Sequence, residues 1–153
     1  MRRWLAVAGM AVCLGGVVWA APNFTGVWKL DLEKSDFGPL PSPKARTDKI
    51  EHQEPNLTLN ITQEGRAREF SYQLRYTTDG KDNQNSLLGN PLHSKLHWEG
   101  DVLVIETSGS LNGNDLTIKD RWTLSPDGKT LTVQRHLAGA RGSTDQKMVF
   151  EKQ

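Results

Sequence analysis

From Phe24 onward, apolar side chains recur at every second position in short runs broken by Gly, Asp, Asn and Pro. No run holds a helical period. Phe24, Gly26, Trp28, Leu30 and Leu32 share one face of the first run, and Thr25, Val27, Lys29 and Asp31 share the other. That alternation predicts a half-buried strand, with Trp28 plugging whatever the strand helps enclose. Residues 45–53 form a polar strand with Asp48, Ile50 and His52 on one face. Leu57, Leu59 and Ile61 alternate with polar residues in the next run, and Phe70, Tyr72, Leu74 and Tyr76 do so in the run after it. A two-residue loop at Glu64-Gly65 predicts Leu59 opposite Phe70, Leu57 opposite Tyr72 and Ile61 opposite Arg68. After a weak polar strand through Asn85, a hairpin around Glu99-Gly100 pairs Leu96 with Leu103 and His93 with Glu106. Another, around 125–128, places Asp120 opposite Val133 and diagonal to Arg135. The last strand, 143–152, turns Met148 and Phe150 inward.

The sum is an all-β chain of about nine or ten strands. An antiparallel up-and-down β-barrel is the architecture predicted, because closure removes the exposed edges of such a meander. A two-sheet sandwich is the runner-up. Residues 33–44 carry three prolines in five positions, which predicts a long loop, with Phe37 and Leu40 folding back over one barrel mouth.

Residues 1–20 stand outside this pattern. Arg2 and Arg3 precede an apolar run from Leu5 to Val18, and Val18-Trp19-Ala20 offers a cleavage site, so a secretory signal peptide cut after Ala20 is expected. The apolar run is shorter than the roughly 20 residues a spanning helix needs. The lone cysteine, Cys13, lies within it, leaving residues 21–153 without a disulfide and dependent on an ordinary core. A bacterial periplasmic or secreted location fits that combination. The net charge of +1 becomes −1 once Arg2 and Arg3 are removed. With no basic run and no acidic tail, neither nucleic acid nor a membrane surface is implied, and no stable insertion of the mature chain is expected.

Candidate chemistry is sparse. His93 and His97 share a strand face with no third ligand near them in the pattern, so no metal site is assigned. No cofactor motif and no catalytic constellation emerges. The inward face nevertheless carries polarity at His52, Arg66, Arg68, Tyr72, Tyr76, Asp120 and Arg135. One reading makes Asp120 and Arg135 an ion pair that fixes register. The other makes the arginines, with Tyr72 or Tyr76, donors to an anionic group in the lumen, because guanidinium matches carboxylate geometry. An enzyme built on His52 and Asp120 is a third and weaker reading.

Phe24-Thr25-Gly26-Val27-Trp28-Lys29-Leu30 resembles the Gly-x-Trp opening of lipocalins and their calycin relatives, among them fatty-acid-binding proteins and avidins. More specifically, the chain resembles a family of exported bacterial lipocalin-like domains of unknown function. The likeness rests on Gly26–Leu30, Lys34-Ser35-Asp36-Phe37, Gly89-Asn90-Pro91, the run from Ser125-Pro126-Asp127-Gly128 to Val133, and the closing Val149-Phe150-Glu151-Lys152-Gln153. It implies a barrel with Gly26 and Trp28 as structural residues at its closed end. It also implies a basic residue laid over Trp28, with Lys152 and Arg135 as the candidates. The sequence departs from those relatives in lacking a C-terminal helix and a lidding helix pair. It also lacks an Arg-x-Tyr head-group motif, since His136 and Leu137 follow Arg135. The function expected is a non-enzymatic exported barrel binding a small hydrophobic or amphipathic molecule, with an anionic end as one form of it. The alternatives are an interaction or inhibitor module of the cell envelope working through the 33–44 loop, and a packed barrel with no ligand.

Overall fold

The computed structural model describes residues 20–153; the expected signal peptide lies, but for Ala20, outside the described residues. Ten antiparallel strands follow one another along them: β1 (Gly26–Asp36), β2 (Ala45–Gln53), β3 (Asn56–Glu64), β4 (Glu69–Thr77), β5 (Asn83–Leu87), β6 (Asn90–Glu99), β7 (Val102–Leu111), β8 (Asn114–Leu124), β9 (Thr130–Gly139) and β10 (Gly142–Lys152). Their order in the single sheet is β4-β3-β2-β1-β10-β9-β8-β7-β6-β5. Each strand pairs with its chain neighbour, except β4 with β5, and β1 also pairs with β10, so the meander curls into a nearly closed barrel. The predicted architecture holds, and the sandwich does not.

The remaining seam lies between β4 and β5, where no backbone ladder forms. Two asparagine amides bridge it. The Asn85 side chain accepts the Arg75 N–H at 2.8 Å and donates to the Arg75 carbonyl at 3.0 Å. Asn83 does the same for Thr77, at 2.9 and 3.3 Å. A carboxamide carries one acceptor and two donors, so it can stand in for the peptide group of a missing neighbour strand.

The strands keep the inward and outward faces that the alternation predicts, but the hairpin registers differ. Leu57 faces Tyr76, Leu59 faces Leu74 and Ile61 faces Tyr72, because the β3–β4 loop spans Gly65–Arg68 and is closed by a Gly65 N–H bond to the Arg68 carbonyl. Leu96 faces Ile105 and His93 faces Ser108, the loop tip being Gly100-Asp101. Asp120 sits directly opposite Arg135. The long loop is also shorter than predicted, since residues 33–36 belong to β1. The β1 strand leaves β2 after Lys29, and its register against β10 becomes irregular between Asp31 and Asp36. There the Ser35 hydroxyl donates to the Asp31 carbonyl at 2.6 Å and accepts the Val149 N–H at 2.9 Å. This detour delivers loop 37–44 to the open end, where Phe37 packs on the core and its carbonyl accepts from Gln146.

The opposite end is closed by aromatic rings. Phe24 stacks on Trp98 at 5.9 Å and on His52 at 5.6 Å, and meets Trp122 edge-on at 5.4 Å. Trp28 is fully buried and donates its indole N–H to the Phe24 carbonyl at 2.8 Å. Lys152, not Arg135, supplies the covering cation, with Nζ 5.6 Å from the centre of the Trp28 ring. Gly26 leaves room for it, since a Cβ there would lie 2.7 Å from the Lys152 Cε. The Gly26 φ of +153° is also one that side chains disfavour.

Candidate functional site

The lumen is ordered in rows that follow from the register. On β8 and β9, climbing from the closed end, the inward pairs are Trp122–Val133, Asp120–Arg135, Ile118–Leu137 and Leu116–Gly139. On β10, Met148, Gln146, Thr144 and Gly142 continue the same rows. Two spaces occupy this axis. An inner cavity of about 100 Å³ is bounded by Arg46, Asp48, Tyr72, Tyr76, Trp122 and Arg135, among others. Above it, an open recess of about 320 Å³ is walled by Leu111, Leu116, Leu137 and the loop residues Pro39 and Leu40. The apolar residues lining the mouth are only half-buried although they point inward. In a barrel with a filled core, such residues would be covered by one another.

The inner cavity is polar in a particular way. Arg135 donates to both carboxylate oxygens of Asp120, at 2.7 and 2.8 Å. Arg46 does the same to Asp48, with both bonds at 2.8 Å, and its guanidinium lies 5.4 Å from the centre of the Phe150 ring. Burial alone would lower the pKa of each arginine. The charge and hydrogen bonds of its aspartate override that and hold it above the ordinary value. Burial, with the nearby Asp120 charge, pushes the Tyr76 phenol far above its usual range, so it stays protonated at any physiological pH. The indole N–H of Trp122 is buried with no hydrogen-bond partner among the described residues. A buried donor in that state costs about 1–3 kcal/mol, so it calls for an explanation.

The residues singled out from sequence separate into three places. Tyr72, Tyr76, Asp120 and Arg135 come together around the inner cavity. His52 lies in the closed end instead: its Nδ1 accepts the Phe24 N–H at 3.2 Å, so the proton sits on Nε2, which donates to Glu54 at 2.7 Å. Glu54 also accepts from Thr78 at 2.5 Å and from the Trp98 indole at 3.1 Å. His52 and Asp120 therefore serve different partners and form no dyad. Arg66 and Arg68 do not face the lumen. The four-residue loop carries both to the rim, where they are exposed. On the outer wall, His93 pairs with Asp82 at 2.9 Å, in place of the predicted Glu106, and His97 meets Glu99 at 3.3 Å.

Two lumen residues were missed by reasoning from sequence. Arg46 shares the face of Asp48, Ile50 and His52, and that two-residue spacing was the available signal. Trp122 falls at an apolar position of its face, with Leu116, Ile118 and Leu124, and nothing in those neighbours marks its N–H as unpaired.

The described residues form a nearly closed, ten-stranded antiparallel β-barrel with a partly polar lumen. No protein-family model matches the sequence, and no curated protein matches it. Solved structures do match in fold. A secretory abundant heat soluble protein from Ramazzottius varieornatus aligns with a TM-score of 0.66 at 13% identity, over 88% of this chain and 98% of that one. Zebrafish ileal bile acid-binding protein complexed with cholic acid aligns at 0.63 and 15% identity, over 85% and 98%. Human cRBP IV aligns at 0.59 and 14% identity, over 86% and 99%. At these identities the likeness is one of fold.

Proposed function

We propose that this chain is an exported, non-enzymatic barrel that takes a small hydrophobic or amphipathic molecule through its open end. The observation that carries this reading is the inward, half-buried apolar wall of β7–β9, where Leu111, Leu116 and Leu137 line a recess of about 320 Å³ and Ile118 lines the inner cavity next to it. Binding pockets begin at roughly 300 Å³. The inner cavity alone is too small for more than a head group or a few waters, so the two spaces act as one site. A barrel of similar fold is described as complexed with cholic acid, which agrees with this use of the architecture. The non-enzymatic part rests on the acid and base groups, because His52 and Asp120 are each held by structural partners. Pro39 and Leu40 wall the mouth, so the proline-rich loop serves the same site. Export rests on the pattern of residues 1–20.

Native mass spectrometry of the protein purified from its own host tests the binding role. A bound mass that disappears on denaturation is the expected result. A bare chain that also fails to enhance Nile red fluorescence would overturn it. N-terminal sequencing of the same sample tests export: a mature chain beginning at Ala21 is expected, and an intact Met1 in the cytoplasmic fraction refutes it.

A further inference from the structure

The inner cavity is built with its charges already matched. Both guanidinium groups that could grip a carboxylate are engaged, each by two bonds to its own aspartate. An entering anion would add a negative charge beside Asp48 and Asp120, and the inner-cavity lining holds no cation beyond the two paired arginines; Arg141 stands farther out, in the recess. Trp122 bounds this same cavity with its ring, while its unpaired N–H is buried out of reach of it. The protonated phenol of Tyr76 stands in the same lining. On the mouth side of the Asp120–Arg135 pair, the next inward rows are Ile118–Leu137 and Leu116–Gly139, which offer an apolar wall and no charge.

Resting on the binding role proposed above, we infer that the ligand is an amphiphile with an uncharged, hydrogen-bond-accepting head, such as an alcohol, aldehyde, ester or amide. The head sits in the inner cavity beside the two matched pairs, and the apolar tail in the mouth. The two lumen aspartates act as specificity determinants against carboxylates. This reverses the role that the lumen arginines alone suggest.

The test is displacement of Nile red at pH 7 by decanol, methyl decanoate and decanoate, for the wild type and for Asp120→Asn and Asp48→Asn. Each variant is first checked for native far-ultraviolet circular dichroism. In the wild type both neutral ligands displace the dye at least tenfold more tightly than decanoate. Greater apolarity of the neutral ligands could produce that preference alone, so the decisive quantity is its change on mutation. Asp120→Asn and Asp48→Asn each release one arginine and shift the preference at least fivefold toward decanoate. A wild type that prefers decanoate overturns the inference and leaves the binding role standing, as does a preference that neither aspartate variant moves. Failure of all three ligands to displace bound dye overturns both.

Discussion

The Asp120–Arg135 pair lends itself to a quantitative experiment, because its two ends are buried unequally. Asp120→Leu leaves the guanidinium without its counter-charge. Breaking a buried pair costs about 3–5 kcal/mol. The Arg135 side chain, however, keeps 23% of its exposure, and partial hydration offsets part of the loss. The expected destabilisation is therefore about 2–3 kcal/mol. Arg135→Met abandons the aspartate, whose side chain is only 9% exposed, so its cost falls nearer the upper end, about 4 kcal/mol. The double variant removes both charges and fills the row with apolar atoms of similar volume, which typically lands within about 1 kcal/mol of the parent. Urea unfolding followed by tryptophan fluorescence at pH 7 gives all four corners of the cycle. In a domain of this size about 3 kcal/mol corresponds to roughly 10 °C in Tm, which thermal circular dichroism reads independently. If the double variant is as unstable as the two singles added together, the residues are uncoupled and the pairing argument is wrong. If both singles fall below about 0.5 kcal/mol, the pair is hydrated like a surface bridge. In that case the charge-matched lumen fails with it.

Other perturbations probe the closed end and the seam. Trp28→Ala empties the fully buried plug and should cost about 3–5 kcal/mol; unchanged stability in the same urea assay would place the barrel's floor elsewhere. Asn83→Ala and Asn85→Ala each remove a stand-in peptide group, so the Thr77 and Arg75 amides should exchange with deuterium at least tenfold faster than in the parent while the β9–β10 amides do not change. Equal protection in parent and variants would mean that the seam is held by something other than the asparagines. Burial works to raise the Glu54 pKa, but hydrogen bonds from Thr78, His52 and Trp98 prevail and hold it below its ordinary 4.5. The unfolded chain then binds the proton more readily, so Glu54 contributes stability in full above about pH 4.5, and this fades as pH falls through the folded pKa. Glu54→Gln should destabilise at pH 7 and converge with the parent near pH 3; a gap independent of pH would show that the carboxylate charge is irrelevant there.

What the sequence made legible was face, not register. Alternation told inside from outside correctly along β3, β4 and β6 to β10, because a strand's side-chain period is two. Sliding a partner by an even number of residues leaves every apolar side chain on the same face, so the pattern could not distinguish Leu57 opposite Tyr72 from Leu57 opposite Tyr76, four residues on. Loop geometry broke the tie, and Arg66 and Arg68 show the consequence. Assigned to a strand they point inward, but assigned to a four-residue loop they reach solvent. The site depended on that detail. Asp120 faces Arg135 squarely only in the observed register, which turns a diagonal approach into a bidentate bond.

On the inference of an uncharged head, a lumen arginine alone is a poor guide to ligand charge. Arg135 and Asp120 are fifteen residues apart in sequence, and Arg46 and Asp48 only two, yet each pair neutralises itself before any ligand arrives. A barrel that kept these arginines and lost these aspartates would have the same hydrophobic pattern and the same fold. Its polar row would carry two unmatched cations, and the ligand it favoured would be an anion. Fold and binding chemistry are therefore set by different residues here. The alternating apolar positions and the Phe24–Trp28–Trp98 floor build the container, and in the binding role proposed above two carboxylates on β2 and β8 select the polar head.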